Sequence, residues 1–177
     1  MQKLYEVAFA TLDREKTNLL RSLEEWDEER LFTRPAPDQW CAIQVVEHLR
    51  KTEFAALESW QTNLKVRLHI VSGQERVKAA LLACLMRLPV RVTVPAEARF
   101  VLPDRPTSKE DVLTAWANER LQLKEFLDCL PKSRQDYGAM YHPVAGWMTV
   151  RGALAFLSAH LRHHQFQIRR IARVMSL

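Results

Sequence analysis

The chain has 177 residues, of which 47% are hydrophobic and 27% charged, and its formal net charge is +5. That much apolar material can bury a core, which excludes wholesale disorder. Four glycines exclude a collagen-like repeat, and three cysteines exclude a disulfide-stapled miniature. The positive balance is too mild to imply a nucleic-acid or membrane partner by itself.

Residues 2–30 set Leu4, Val7, Ala8, Thr11, Leu12, Leu19, Leu20, Leu23 and Trp26 at helical spacing. This predicts a first long helix, broken by Arg34-Pro35-Ala36-Pro37. A second helix is expected to start near residues 38–41 with Asp38 as its N-cap, and to run through Leu57 and at most to Val71. Ser72-Gly73 punctuates, and a shorter apolar helix follows to about Leu88. Pro89, Pro95, Pro103 and Pro106 make residues 89–106 an extended connection, in which Val90, Val92 and Val94 alternate as a short strand would. Thr107-Ser108-Lys109-Glu110 reads as a capping box that opens a third long helix to about Leu130. Residues 131–147 read as a loop, and Thr149 as the cap of a last helix to about Val174.

Four long amphipathic helices in one domain over residues 1–177 predict an all-α four-helix bundle, with a long crossover between long helices two and three. Residues 72–106 are enough to span the bundle and let two successive helices run the same way; an up-down order is the alternative. Cys41, Cys84 and Cys129 form no CxxC pattern, and the amino-terminal segment lacks the apolar core of a leader. The longest apolar run, residues 79–86, falls far short of the roughly 20 residues of a membrane span. A cytoplasmic, reduced protein without a membrane span is expected.

The chemistry rests on six histidines: His48, His69, His142, His160, His163 and His164. At about 100° per residue, His160 and His164 lie about 40° apart on a wheel. Ala153, Phe156, Leu157, Gln167 and Ile171 share their half, while Arg151, Arg162, Arg169 and Arg173 gather opposite. The arginines are expected to face water and the two imidazoles the core. Buried imidazoles are costly unless satisfied. Hydrogen bonds would satisfy them as an ordinary buried pair. A metal would also do so, because H-x-x-x-H sets two nitrogens at a chelating separation. In the second helix, His48 sits at the edge of the apolar face made by Ala42, Val45, Leu49 and Ala56. By itself it is a core or boundary residue; if the helices converge it is a third ligand. Three imidazoles leave a coordination position open, the pattern of a catalytic metal site. His163 lies off that face and reads as a flanking residue. His69 reads as a surface residue at the far end of the second helix, and His142 as a turn residue before Pro143 or an overhang at the site mouth.

Three stretches in this order carry a resemblance: Trp40-Cys41-Ala42-Ile43-Gln44-Val45-Val46-Glu47-His48-Leu49, then His142-Pro143-Val144-Ala145-Gly146-Trp147-Met148-Thr149, then His160-Leu161-Arg162-His163-His164-Gln165-Phe166-Gln167-Ile168. The chain is similar to the DinB-like superfamily of metal-dependent bacterial bundle proteins. The resemblance implies a four-helix bundle, a homodimer, and a divalent ion, zinc or nickel, on His48, His160 and His164. It also implies a thiol S-transferase that uses a low-molecular-weight thiol and an electrophilic substrate, since characterised relatives include such enzymes and a thiol-dependent isomerase. Cys41 stands where the family often has a helix-capping serine. This departure weakens the cap and leaves the ligands intact, and Cys41 reads as a small buried residue rather than a ligand.

An ion held by three neutral imidazoles keeps its full charge and draws the pKa of a bound thiol or water toward neutrality, so transferase and hydrolase chemistry both fit. Gln44 and Gln167, each about one turn from a histidine, are candidates to orient a ligand or bond to a ring's outer nitrogen, or are plain boundary residues. Glu47 points away from His48 and Glu53 is a weak general-base candidate, so no catalytic residue is assigned. Two readings come from other classes. In one, the arginine side of the last helix contacts an acidic partner; nucleic acid is not expected, because no aromatic residues interleave the arginines. In the other, the histidines are core residues of a metal-free helical interaction or stress-response protein.

Overall fold

The computed structural model describes residues 2–66, 69–90, 92–104 and 108–175, apart from the Leu4 side chain. In chain order these form α1 (Lys3–Arg21), α2 (Glu28–Phe32), α3 (Ala42–Val66), α4 (Gly73–Leu85), α5 (Lys109–Cys129), strands β1 (Met140–His142) and β2 (Gly146–Met148), and α6 (Val150–Met175). Short 3-10 turns occupy Ala96–Val101 and Lys132–Arg134. No described helix is long and apolar enough to cross a membrane.

The four long helices α1, α3, α5 and α6 make the bundle. α1 and α5 each bury one stripe: Tyr5, Leu12 and Leu19 on α1, and Val112, Trp116, Leu123 and Leu127 on α5. Side-chain partners set the helix directions. Arg50 meets Glu119, Glu53 meets Trp116 and Arg120, and Trp60 meets Phe126, so α3 and α5 run parallel. Gln2 bonds to Leu130 and Asp13 meets Arg120, so α1 opposes α5. α6 opposes α3: His48 meets His160 and His164, while Ser59 bonds to Ala139 just ahead of the hairpin that leads into α6. The crossover therefore does let two successive long helices run the same way.

Several expectations are corrected. The first helix ends at Arg21, not near residue 30; a turn buries Leu23 and Trp26, and α2 follows with Asp27 accepting from the Arg30 N–H as its cap. Asp38 does not cap α3. Cys41 holds that position, its carbonyl accepting from the Val45 N–H, and the Gln44 side chain reaches back to the Cys41 N–H at 3.2 Å. Residues 92–94 form no strand; the crossover instead coils into the 3-10 turn Ala96–Val101, which lies against α3. Ser108, rather than Thr107, caps α5 by accepting from the Asp111 N–H; Pro106 and Thr107 lie outside the described residues. The loop expected over residues 131–147 contains an antiparallel hairpin with Tyr141 opposite Trp147. Gly146 there takes φ +77°, a left-handed conformation that favours glycine, and a Cβ on Gly138 would come within 2.8 Å of the Trp147 ring. Thr149 caps α6 as expected, accepting from the Gly152 N–H at 3.1 Å.

Charged residues cross the bundle where α3 meets α5. The buried Glu53 carboxylate accepts from Arg120 at 2.7 Å and from the Trp116 indole N–H at 3.0 Å. Arg50 bonds to Glu47 at 2.7 and 2.8 Å and also reaches Glu119. Pairing makes these carboxylates tolerable in a largely apolar interior.

Candidate metal centre

Because α3 and α6 run in opposite directions, the first half of α3 faces the middle of α6. His48 stands on the second turn of α3, and His160 and His164 stand one turn apart on α6. All three are buried, His48 at 2% exposure, which corrects its placement at the edge of an apolar face. The stretch 41–49 is buried on every side, because the crossover covers the side of α3 that the bundle leaves open.

The three Nε2 atoms converge. His160 Nε2 lies 3.3 Å from His48 Nε2 and 3.0 Å from His164 Nε2, and all three lie within 4.8 Å of one another. A tetrahedral ion with nitrogens at about 2.05 Å spaces those nitrogens roughly 3.3 Å apart. The outer ring nitrogens are committed elsewhere. His48 Nδ1–H donates to the Val101 carbonyl at 2.8 Å, and His164 Nδ1–H to Gln167 Oε1 at 2.7 Å. Both rings therefore turn bare Nε2 lone pairs inward, as metal-binding histidines with anchored outer nitrogens do. A single N–H on His160 can serve only one of these two acceptors. The neutral trio cannot satisfy itself by hydrogen bonds, whereas one cation among the three nitrogens satisfies all of them.

Electrostatics agree with the geometry. Burial pushes the His48 imidazole below its ordinary pKa, partly opposed by the bond to Val101. His160 and His164 sit well below the ordinary value, first through burial and then through the neighbouring imidazoles. Neutral imidazole is the ligating form. Ring contacts hold the orientation: Trp40 lies tilted against His48 at 5.0 Å, and Phe156 stacks on His160 at 5.5 Å and 10°. Phe156 is legible on the helical wheel. The Val101 carbonyl is not, because any residue supplies a carbonyl.

The remaining candidates separate. Gln167 does bond to an outer nitrogen, whereas Gln44 caps α3. His163 is buried with its ring edge toward His164, 5.3 Å between centroids. His142 ends β1 in a turn, accepts from the Val144 N–H at 3.1 Å, and also lines the cavity before the trio. His69 lies beyond α3, half-exposed, stacked on Trp147 at 5.4 Å and 3.3 Å from the Glu75 carboxylate. Cys41 is buried and donates to Gln44 rather than joining the trio. Glu53 is held by Arg120 and Trp116 and does not line the cavity. The arginine side of α6 faces water, with Arg151, Arg162, Arg169 and Arg173 all exposed.

The trio forms part of the wall of a cavity of about 1040 Å³. Its surroundings include Trp40, Met86, Phe100, Val101 and Phe156, with Arg99, Arg170 and Arg173 also lining it. The space is large enough for a small organic molecule beside an ion.

No curated protein sequence matches the chain. Among solved structures, YfiT from Bacillus subtilis, described as "a probable metal-dependent hydrolase with an unusual four-helix bundle topology", is similar with a TM-score of 0.67. The two share 17% identity over 99% of this chain and 90% of that one, a likeness that shows the fold. The sequence pattern of the DinB superfamily matches residues 11–168, a span that includes His48, His160 and His164. The match covers most of the chain and agrees with the bundle topology and the buried trio, and this protein belongs to the DinB superfamily.

Proposed function

We propose that His48, His160 and His164 hold a divalent ion, zinc or nickel, and that the cavity beside them is the active site of an enzyme that transfers a small thiol to an electrophile. The observation that carries this reading is the convergence of three buried Nε2 atoms on one wall of the cavity. A divalent ion on three neutral ligands supplies a Lewis acid that lowers the pKa of a bound thiol or water.

The chain's own residues supply orientation and dryness. Val101 and Gln167 fix two of the rings through their outer nitrogens. Phe100, Phe156 and Met86 line the cavity with apolar surface that excludes water from the reacting groups. His142 accepts from a backbone N–H at Nδ1, and burial holds its pKa below the ordinary value, so its proton sits on Nε2 as a donor. Its role is to hold the electrophile's polar group by that N–H.

Thiol transfer is the first reading because a thiol needs no general base; Glu47 and Glu53, the acids nearest in sequence to His48, are bound to Arg50 and Arg120, and Asp38 and Glu97, which line the cavity, would serve a bound water in the second reading. Water, far less acidic than a thiol, gains more from a general base. Hydrolysis is the second reading, supported by the description of YfiT. Elemental analysis of the native protein tests the site, with one equivalent of ion expected. A screen of low-molecular-weight thiols against a chromogenic electrophile, run beside a chromogenic ester, tests the reaction. Thiol-dependent product that vanishes in His160→Ala supports transfer. Ester cleavage without thiol shifts the reading to hydrolysis, and metal-free protein with neither activity removes it.

A further inference from the structure

Along α6 the cavity extends to both sides of the trio. On one side His142 meets Phe156 at 5.0 Å, one turn before His160. On the other, His163, Gln167, Arg170 and Val174 follow at intervals of four, three and four, so they share one row of the helix, and all of them line the cavity. Arg170 is the half-buried cation of that row. Helical side chains lean toward the amino terminus, which tilts Arg170 back toward the histidines. Its charge is felt there: burial is the main cause of the low pKa of His163 and of His164, and Arg170 lowers both further. Arg173, one turn on, and Arg99, on the 3-10 turn of the crossover, line the same cavity and are exposed. Among the described lining residues these three cations outnumber the two acids, Asp38 and Glu97. Among the described residues neither Arg99 nor Arg173 is paired with a carboxylate, whereas Arg50, Arg76 and Arg120 each are. A cation in the wall of a site that is to hold a divalent ion is unfavourable by itself. An anion between the two offsets the repulsion, and a guanidinium binds a carboxylate through two parallel N–H···O bonds.

We propose that Arg170 and Arg173 form an anion subsite that takes the carboxylate of the thiol. The inference rests on the thiol-transfer reading and adds the chemical class of its thiol, an acid whose carboxylate lies far from the sulfur. Position along α6 assigns the carboxylate to the thiol rather than to the electrophile. His142 holds the electrophile's polar group on one side, the sulfur goes to the ion, and the arginine side is left for the rest of the thiol. Arg170 lies roughly 9 Å beyond His164 along the helix axis, less the backward lean of its side chain, so sulfur and carboxylate are several bonds apart. Phe100, 65% exposed, and Val174, 53% exposed, offer apolar surface in the same cavity to the stem that joins them.

The test titrates the ion-loaded protein with mercaptohexanoate and with its neutral analogue mercaptohexanol, by calorimetry. The acid is expected to bind about tenfold more tightly, as a charge-assisted bond at a partly exposed site provides. In Arg170→Gln with Arg173→Gln that preference is expected to vanish, with metal content and the helical circular-dichroism spectrum as in the wild type. Transfer to two electrophiles, neutral chlorodinitrobenzene and anionic chloronitrobenzoate, locates the carboxylate. The paired substitution is expected to raise KM for mercaptohexanoate about tenfold, and not to raise KM for chloronitrobenzoate. A rise for chloronitrobenzoate instead assigns the arginines to the electrophile and overturns the proposal. Equal affinities for the two thiols in the wild type, or a preference that survives both substitutions, also overturn it and leave thiol transfer standing. Protein that binds neither thiol refutes the thiol reading itself, and the subsite with it.

Discussion

His160 is the residue on which the candidate centre turns, because its Nε2 lies within 3.3 Å of both other Nε2 atoms. His160→Ala is expected to lower bound metal from about one equivalent per chain to below about a tenth, measured by elemental analysis, since two ligands rarely retain a site built for three. Gln167→Ala keeps all three ligands and frees the His164 ring. Its expected effect is a loss of metal affinity of about 10–100-fold, measured by chelator competition; unchanged affinity would mean that the bond to Gln167 does not position the ring. Protonation adds a pH dependence. Near pH 7 the three imidazoles are neutral in both folded and unfolded chains. Below the ordinary histidine value of 6.5 the unfolded chain takes up protons that the buried rings refuse, because burial has lowered their pKa. Stability of the metal-free protein should therefore fall with falling pH, by up to about 1.4 kcal/mol per unit for each imidazole. Urea denaturation between pH 7 and 5 measures this, and a flat profile would falsify the burial argument. At this scale His160, His164 and Gln167 were legible, because helical spacing puts them on one inward face, whereas His48 read as an edge residue and its burial depends on the crossover. The partner of His48 was not legible, since it is a backbone carbonyl 53 residues away.

Among the elements, α3 and α5 are joined by ion pairs that no periodicity reveals. Glu53→Ala leaves Arg120 buried without its main partner, and the expected loss is about 3–5 kcal/mol by urea unfolding. A change below about 1 kcal/mol would show that water or Asp13 replaces the carboxylate. The hairpin depends on Glu75, which closes the Ser72 capping box and also accepts from the Trp147 N–H at 3.2 Å. The Ser72 N–H and hydroxyl are the main cause of its depressed pKa, about 2, with His69 and Trp147 adding to it against the effect of burial. A carboxylate held so low contributes stability that is complete above pH 4.5 and is lost as pH falls toward 2. Glu75→Gln should flatten that part of the acid unfolding curve. The hairpin escaped a sequence reading because its strands have three residues each, too few to show alternation. The short helix α2 escaped because Leu23 and Trp26 continue the helical spacing of α1 while occupying a turn.

For the whole molecule, ion binding and folding are linked, since the unfolded chain does not hold three imidazoles together. Free metal at about 100 times its Kd should add about 2.7 kcal/mol of stability. A chelator should accordingly lower Tm in the wild type and leave His160→Ala unchanged; equal shifts in both would place the metal elsewhere. The crossover bears on this linkage as well. It carries Val101 to His48 and lines the cavity, so the bundle and its site are closed by the same segment.

The sequence alone determined the bundle and the ligand candidates. Apolar residues every three or four positions dictate long helices, and H-x-x-x-H on one of them needs only helical geometry to be recognised. What the tertiary structure decided is convergence. Antiparallel packing of α3 on α6 brings His48 to within 3.3 Å of a residue 112 positions away. The parallel run of α3 and α5 and the cover that the crossover lays over His48 likewise depend on how helices are placed against one another. Periodicity within a segment specifies which side of a helix is apolar, but not which other helix will meet it.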